Sequence, residues 1–207
     1  MIVPDSPPAR ESATRIILSG GVISFRTDTF YGLGADPFNE SAVLRIRELK
    51  GRDDRKPILL LLADLSEVDR FIAVRSDLFT RLADRFWPGP LTIVGSASQL
   101  PDVLTAGSKT IGVRLPNAEA VRTLVRCCGG ALTATSANIS GSPPAASAQS
   151  VADYFGETVD LIIDGGESTL QEPSTVVDVS TGVAQVVRVG AVPAVKIQAV
   201  LQETPLI

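Results

Sequence analysis

Residues 22–35 read VISFRTDTFYGLGA, and a second polar stretch, Lys50-Gly51-Arg52, follows one helix length later. The first stretch starts as a short apolar run, turns to hydroxyls, one acid and an aromatic, and ends on Gly32-x-Gly34. A short apolar run followed by polar and glycine residues predicts a strand that ends in a loop. In α/β proteins, ligands bind outside the carboxyl ends of strands, which is where this loop would lie. We expect this stretch to form one wall of a small-molecule pocket, with the two glycines in the loop.

The composition predicts one domain with a sizeable core. The chain has 207 residues, 44% of them hydrophobic and 20% charged. The net charge of −4 disfavours a protein that coats nucleic acid through its overall field, but it is compatible with a local basic pocket. No segment approaches the roughly 18 apolar residues that a membrane span needs. The N-terminus lacks a signal-peptide pattern, so we expect a cytoplasmic protein.

The sequence contains no histidine. This excludes Ser-His-Asp and Cys-His catalysis and every His-ligated metal site. Its only cysteines, Cys127 and Cys128, are adjacent, which disfavours a structural disulfide within the chain and suits a reducing compartment. Any chemistry must therefore come from Lys, Arg, hydroxyls, carboxylates, backbone amides or a bound ion.

Apolar periodicity predicts alternating strands and helices along the chain. The predicted strands are 22–25, 58–62, 91–94, 110–115, 131–134 and 161–163, with a closing hairpin of 175–179 and 185–189. The predicted helices are 9–19, one from Asn39 or Ser41 to 49, 65–74, 76–86, 117–128, one from Ser147 or Ser150 to 155, and 192–201. This order predicts a single-domain α/β fold, a twisted mixed sheet that is largely parallel plus an antiparallel hairpin, with flanking helices. Residues 1–8, which carry three prolines, are expected to form a loose arm.

Polar clusters without a paired general base recur near the predicted strand ends. Cations and hydroxyls of this kind grip phosphate and carboxylate oxygens, although each cluster alone could also be a turn or a helix end. Arg114 lies in an apolar strand and needs an anionic partner, and no carboxylate lies near it in the sequence. The clusters are Thr27, Asp28, Thr29 and Tyr31; Lys50, Arg52 and Lys56; Thr110 and Arg114; Thr135, Ser136, Asn138 and Ser140; and Ser174, Thr175 and Arg188.

Seven motifs follow one another along the chain: FRTDTFYGLGADP, LKGRDDRKPILLLL, FWPGPLTIV, TIGVRLPNAEAVRTLV, TATSANISGSPP, PSTVVDV and VVRVGAV. This series resembles the YrdC-like threonylcarbamoyl-AMP synthases. The resemblance implies a sheet around a large cationic cavity, the YrdC-like fold, in a domain at 10–195 with an arm at 1–9 and a tail at 196–207. Longer members add a C-terminal domain, and here we expect the single-domain form.

The resemblance also implies an activity. Family members are cytoplasmic nucleotidyltransferases that condense L-threonine, bicarbonate or CO2, and ATP with Mg2+ into threonylcarbamoyl-AMP and pyrophosphate. A downstream threonylcarbamoyl transferase then modifies the tRNA adenosine next to the anticodon to N6-threonylcarbamoyladenosine. Weak binding of tRNA or double-stranded RNA is compatible with this activity, and no membrane partner is expected.

Site residues carry over by motif position, as implications of the resemblance. Positions that match the threonine site are Thr27, Arg114, Ser136 and Ser174. Positions that match the ATP site are Lys50, Arg52, Lys56, Thr110, Asn138 and Arg188, with Lys50 and Arg52 as catalytic residues. No dedicated metal cage is expected, because Mg2+ would arrive with ATP.

Two positions depart from the family pattern. Arg26 stands where a strand-end proline is usual, and the histidine that some members place near Leu61 is missing. Two alternatives stay open. A non-catalytic RNA-binding protein using the same cavity is disfavoured by the acidic charge and the lack of an aromatic stacking platform. Carbamoyl transfer to another substrate, as in hydrogenase-maturation proteins, is disfavoured because two adjacent cysteines cannot supply their zinc-finger modules.

Overall fold

A computed structural model of the protein describes residues 1–51, 57–168 and 172–202. Within these ranges the chain forms one ten-stranded mixed sheet flanked by helices, in the strand order β1-β8-β2-β3-β7-β4-β6-β5-β9-β10. The strands are β1 Ile2–Pro4, β2 Ile23–Arg26, β3 Tyr31–Gly34, β4 Leu59–Leu62, β5 Leu91–Ser96, β6 Thr110–Arg114, β7 Ala131–Ser136, β8 Leu161–Asp164, β9 Thr175–Asp178 and β10 Gln185–Arg188.

Eight α-helices lie in the described ranges. They are α1 Pro7–Leu18, α2 Glu40–Lys50, α3 Val68–Phe71, α4 Asp77–Phe86, α5 Asp102–Thr105, α6 Glu119–Cys127, α7 Ala148–Phe155 and α8 Ala194–Gln202. Short 3-10 turns occupy Leu65–Glu67 and Gly156–Thr158. None of the described helices is long and apolar enough to cross a membrane.

The sequence correctly predicts a mixed α/β fold. Parallel pairings join β1 to β8, β8 to β2, β4 to β6 and β5 to β9. The other neighbours are antiparallel, so antiparallel pairing extends beyond the closing hairpin of β9 and β10. The predicted strand 58–62 is confirmed as β4, and its alternate residues enter two different cores. Leu60 and Leu62 belong to the larger core, and Leu61 to the smaller one under α1 and α6, because successive side chains point to opposite faces.

The two ends of helix α2, which carries Lys50, are determined by residues close to them in the sequence. Asn39 caps it by accepting a hydrogen bond from the Ala42 amide at 3.1 Å, one of the two caps that the sequence left open. Gly51 ends it in the left-handed conformation at φ 54°, a conformation that glycine adopts without a Cβ penalty. The buried face of the helix packs Val43 and Ile46 into the larger core. Lys50 is therefore held at a defined helix end.

The expected loose N-terminal arm is wrong for residues 2–4. Ile2 pairs with Ile162 and Pro4 with Asp164, so β1 adds a parallel strand to the edge of the sheet. The backbone amide of Asp5 continues the pairing by donating to the Asp164 carbonyl at 2.9 Å. Prolines mislead here because an edge strand tolerates a residue without an N–H. The domain limits at 10 and 195 remain a prediction.

The expectation that the two glycines lie in a loop is also wrong. Gly32 and Gly34 lie within β3, which pairs antiparallel with β2. A Cβ on Gly34 would lie 2.6 Å from Cε1 of Phe25. Glycine is needed there for close packing between strands, not for a turn.

Two further segments differ from the sequence-based prediction. The helix expected at 65–74 is a 3-10 turn followed by one helical turn that ends at Phe71, after which Ile72 bridges to Ala97. Helix α5 lies between the predicted strands 91–94 and 110–115, where no helix was predicted. Both segments are too short for apolar periodicity to identify.

Candidate functional site

A cavity of about 1100 Å³ opens over the sheet. Alternate residues of several strands face it, as the two-residue period of a strand requires. On β6 these are Thr110, Gly112 and Arg114, and on β4 they are Leu59 and Leu61. The loops after β2 and β7, the end of α2 and the β9–β10 hairpin complete the wall. Residues from distant parts of the sequence therefore share one space.

Lys50 lies at the C-terminal end of α2 with only 4% of its surface exposed. Its ammonium group donates to the backbone carbonyls of Ser136 and, at 2.8 Å, of Asn138, and it lies 3.3 Å from Asn138 Oδ1. The Asn138 amide nitrogen donates in turn to the carbonyls of Ile139 and Ser142 at 3.0 and 2.7 Å. Lys50 thus ties the loop after β7 to α2 at the rim of the cavity.

Arg114 is equally buried, at 4% exposure. Its Nε donates to the Gly89 carbonyl at 3.1 Å and its Nη1 to Thr29 Oγ1 at 3.3 Å. Its Nη2 forms an ion pair with Asp28, which also accepts a hydrogen bond from the Asn117 amide at 3.2 Å. Asp28 is therefore the anionic partner that Arg114 needs, supplied by the fold from a distant part of the chain.

The Thr27 hydroxyl organises the turn after β2. It donates to the Phe30 carbonyl at 2.7 Å and accepts from the Thr29 amide at 3.1 Å. It also lies 3.0 Å from Thr29 Oγ1. The turn interpretation of this cluster is confirmed, and Thr27 and Thr29 also border the cavity.

Arg188 faces the cavity from β10. Its Nε and Nη2 donate to the Ser174 carbonyl at 3.1 and 2.9 Å, and Nη2 also donates to Ser174 Oγ at 3.1 Å. The Ser174 hydroxyl is 2.9 Å from Thr92 Oγ1. Burial, and then the positive charge of Arg114, lower the pKa of Arg188. Arg114 and Arg188 both line the cavity, and an anion bound between them would be attracted by both positive charges.

Thr175 holds the segment that follows Arg188. Its hydroxyl donates to the Val192 carbonyl at 2.6 Å and accepts from the amides of Gly190 and Val192 at 2.9 and 3.1 Å. These bonds fasten the chain after β10 to β9. The sequence placed Thr175 in a polar cluster but did not indicate this role.

The structure brings most of the predicted site residues together. Those lining the cavity are Thr27, Lys50, Thr110, Arg114, Ser136, Asn138, Ser174 and Arg188. Arg52 and Lys56 lie outside the described residues. Leu61 lies in the floor, where no histidine accompanies it. Arg26 lines a different, smaller cavity. The sequence did not identify Asp28 as the partner of Arg114. It also did not identify Thr92 as a cavity residue, for which the only indication was a hydroxyl inside an apolar strand.

The carboxylates of the described chain do not form a metal cage. No group of three or more acidic or cysteine side chains comes together in the described ranges. Asp178 is the one acid among the described residues that line the large cavity, and it accepts a hydrogen bond from the Ser180 amide at 2.8 Å. The donors that face the cavity suit anions.

The amino-acid sequence is similar to those of known proteins. The Sua5/YciO/YrdC family, described as "Telomere recombination", matches residues 15–190. A threonylcarbamoyl-AMP synthase of Pyrococcus abyssi is 38% identical over 192 residues, covering 92% of this chain and 56% of the archaeal protein. A threonylcarbamoyl-AMP synthase of Thiobacillus denitrificans is 39% identical over 164 residues, covering 79% of this chain and 87% of that protein.

The fold is also closely similar to that of a solved structure. The crystal structure of P. abyssi Sua5 complexed with L-threonine superimposes with a TM-score of 0.90 at 37% identity, covering 94% of this chain and 57% of that one. The chain thus spans slightly more than half the length of the Pyrococcus protein and most of the length of the Thiobacillus one.

Proposed function

The chain belongs to the Sua5/YciO/YrdC family, and on that basis we propose that it is a cytoplasmic threonylcarbamoyl-AMP synthase. It condenses L-threonine, CO2 or bicarbonate, and ATP into threonylcarbamoyl-AMP and pyrophosphate. The observation that carries the proposal is the pair of guanidinium groups, the buried one of Arg114 and the more exposed one of Arg188, which face one cavity of about 1100 Å³ that is also lined with hydroxyls. Carboxylate and phosphate oxygens are the partners that such groups select.

Threonine would lie at the end of the cavity where the loop after β2 meets β6 and the start of β9. Arg114 would receive the substrate carboxylate, with Thr27, Ser136 and Ser174 around it. Because Asp28 already neutralises Arg114, a carboxylate there gains chiefly from directed hydrogen bonds, and Arg188 supplies the remaining positive charge.

ATP would occupy the side bordered by α2 and the loop after β7. Lys50 and Asn138 line this side, and Arg52 and Lys56 follow Lys50 in the sequence. Thr110 and Arg188 line the same cavity from β6 and β10. Mg2+ would arrive with the triphosphate, since the described carboxylates make no cage for it.

The chemistry suits a site without histidine. The threonine amine adds to CO2 and loses one proton, giving a carbamate. A carbamate oxygen then attacks the α-phosphorus of ATP, the bond to the β-phosphate bridging oxygen breaks, and pyrophosphate leaves. Such a transfer depends on in-line positioning and on neutralising charge more than on a strong base. Lysine and arginine side chains supply that neutralisation.

A threonylcarbamoyl transferase would take the unstable adenylate to the adenosine next to the tRNA anticodon. Weak contact with tRNA or double-stranded RNA is compatible with the cationic cavity. The second candidate, RNA binding without catalysis, rests on the same cations and shares their location. The activity assay below separates the two.

The decisive experiment measures pyrophosphate release with ATP, Mg2+, bicarbonate and each amino acid in turn. We expect release that requires L-threonine and bicarbonate. Release independent of threonine would contradict the synthase. Salt-sensitive RNA binding with no threonine-dependent release would favour the RNA-binding alternative.

A variant series tests the cationic residues. We expect Lys50→Ala and Arg52→Ala each to remove most of the pyrophosphate release, by at least about a hundredfold, because each loses charge stabilisation in the transition state. Lys196→Ala, which removes an exposed lysine of α8, is the matched control and should keep wild-type release. Wild-type turnover in the Lys50 or Arg52 variant would rule out their assignment. Circular dichroism should confirm that each variant folds.

A further inference from the structure

A second, smaller cavity of about 350 Å³ lies at the carboxyl ends of three parallel strands. Strands β1, β8 and β2 run in the same direction, and the residues at their ends, Asp5, Gly165 and Arg26, line it. The beginning of α6 closes another side. Ligands of α/β proteins bind at such strand ends, and the volume lies in the range of small-molecule sites. The proposed synthase chemistry makes no use of this space.

Arg26 is the unbalanced charge in this cavity. Its Nη1 donates to the Gly165 carbonyl at 2.7 Å, whereas its Nε is buried without a hydrogen-bond partner. In the described part of the chain no carboxylate forms an ion pair with it, while the two acids of the lining are paired, Asp5 with Arg10 and Asp28 with Arg114. A buried N–H without an acceptor is costly, so a ligand oxygen there would be favourable.

A glycine makes room for Arg26 in this cavity. Gly165 has no Cβ, and a Cβ there would lie 3.1 Å from the Cβ of Arg26 and 3.3 Å from its Cδ, so glycine lets the arginine lie across this position.

The other residues that line the small cavity indicate the shape and polarity of the rest of the ligand. Phe25, Val121, Leu124 and Ile163 form an apolar surface beside Arg26. One unpaired guanidinium balances one negative charge, and the carboxylates of Asp5 and Asp28 would repel a dianion such as a phosphate ester. We propose that this cavity binds a small monocarboxylate whose oxygens accept hydrogen bonds from Arg26 and whose apolar body packs on Phe25, Val121 and Leu124.

The test is a titration of the isotope-labelled protein with acetate, butanoate and hexanoate, followed by backbone amide NMR. We expect saturable shifts in residues 25–28 and 117–121, with affinity rising about fourfold for each methylene buried. Arg26→Gln should weaken hexanoate binding at least tenfold by removing the charged donor. Ala120→Phe, at an exposed position of α6 that lines the cavity, should block binding by filling its mouth.

Two controls locate the binding. Arg15→Gln removes an exposed arginine of α1 outside both cavities and should bind hexanoate as the wild type does. Arg188→Gln alters the large cavity and should leave hexanoate binding intact. Absence of saturable shifts, binding that survives both Arg26→Gln and Ala120→Phe, or binding lost in Arg188→Gln would each overturn the proposal. None of these outcomes depends on synthase activity.

Discussion

The ion pair between Asp28 and Arg114 shows how single residues of the site depend on the fold. The Arg114 side chain is 4% exposed and that of Asp28 12%. Removing one partner of a buried pair leaves an uncompensated charge, which is far more costly than losing a surface pair.

We expect Asp28→Asn to lower the free energy of unfolding by about 3 kcal/mol, measured by urea denaturation. The matched control is Asp69→Asn, which breaks the pair with Arg75 at a carboxylate that is 71% exposed, and it should cost less than about 1 kcal/mol. Equal effects of the two substitutions would show that burial does not strengthen the Asp28 pair.

Tyr31 is buried, and its hydroxyl is hydrogen-bonded to the backbone of the loop after β8. Its hydroxyl donates to the Gly166 carbonyl at 2.8 Å and accepts from the Gly165 amide at 3.1 Å. Burial raises its pKa to about 12 from the ordinary 10.0. The folded protein therefore holds the phenol proton more tightly than the unfolded chain does.

The stabilisation by Tyr31 is complete below pH 10 and is lost as the pH rises from 10.0 to about 12, because the unfolded chain loses the proton first. We expect the free energy of unfolding to fall across that interval and Tyr31→Phe to remove this part of the fall. Tyr154→Phe, which leaves Tyr31 in place, should show the Tyr31-dependent fall in the free energy of unfolding. A wild-type slope in Tyr31→Phe would contradict the assignment.

Strand β3 contains two glycines that resemble a turn in the sequence, and one of them is tightly packed. At Gly34 a Cβ would lie 2.6 Å from Cε1 of Phe25 and 3.2 Å from the Thr133 carbonyl oxygen. At Gly32 the nearest atom, the Thr135 carbonyl oxygen, would be 3.4 Å away, which is ordinary contact. The two glycines of one strand therefore differ in how much space they leave.

We expect Gly34→Ala to lower the free energy of unfolding by about 1–3 kcal/mol through overpacking, and Gly32→Ala to cost clearly less. Chemical denaturation of both variants decides the point. If the two substitutions cost the same, the packing around Gly34 adjusts more easily than the structure indicates.

The first residues of the chain form one edge strand of the sheet. The amide of Ile162 donates to the Met1 carbonyl at 2.9 Å, and β1 covers the edge of β8. A loose arm could be removed without effect, whereas a paired strand could not.

Deletion of residues 1–4 should lower the free energy of unfolding by about 2 kcal/mol, since each backbone hydrogen bond contributes roughly 1 kcal/mol net. Ile2→Ala serves as the control, because it keeps the backbone pairing and trims a side chain that is 40% exposed. An unchanged free energy of unfolding in the deletion variant would restore the loose-arm interpretation.

The amino-acid sequence by itself determined the alternation of strands and helices, since apolar periodicity and caps such as Asn39 act within a few residues. It also identified the family, because the polar motifs follow one another in the family's order. The absence of histidine excluded catalysis and metal binding by an imidazole, which leaves Lys, Arg, hydroxyls, carboxylates, backbone amides or a bound ion to supply the chemistry.

Only the tertiary structure decided which residues meet. Asp28 pairs with Arg114, Lys50 reaches the carbonyls after β7, and β1 joins β8 because the sheet order brings distant segments together. Local patterns carry no information about such contacts: the free energy that selects them comes from burying the whole core and pairing every strand at once. For the same reason the glycines of β3 resemble a turn in the sequence. Only the tertiary structure shows that they lie in a strand paired with β2 and β7, and that the Phe25 ring leaves no room for a Cβ at Gly34.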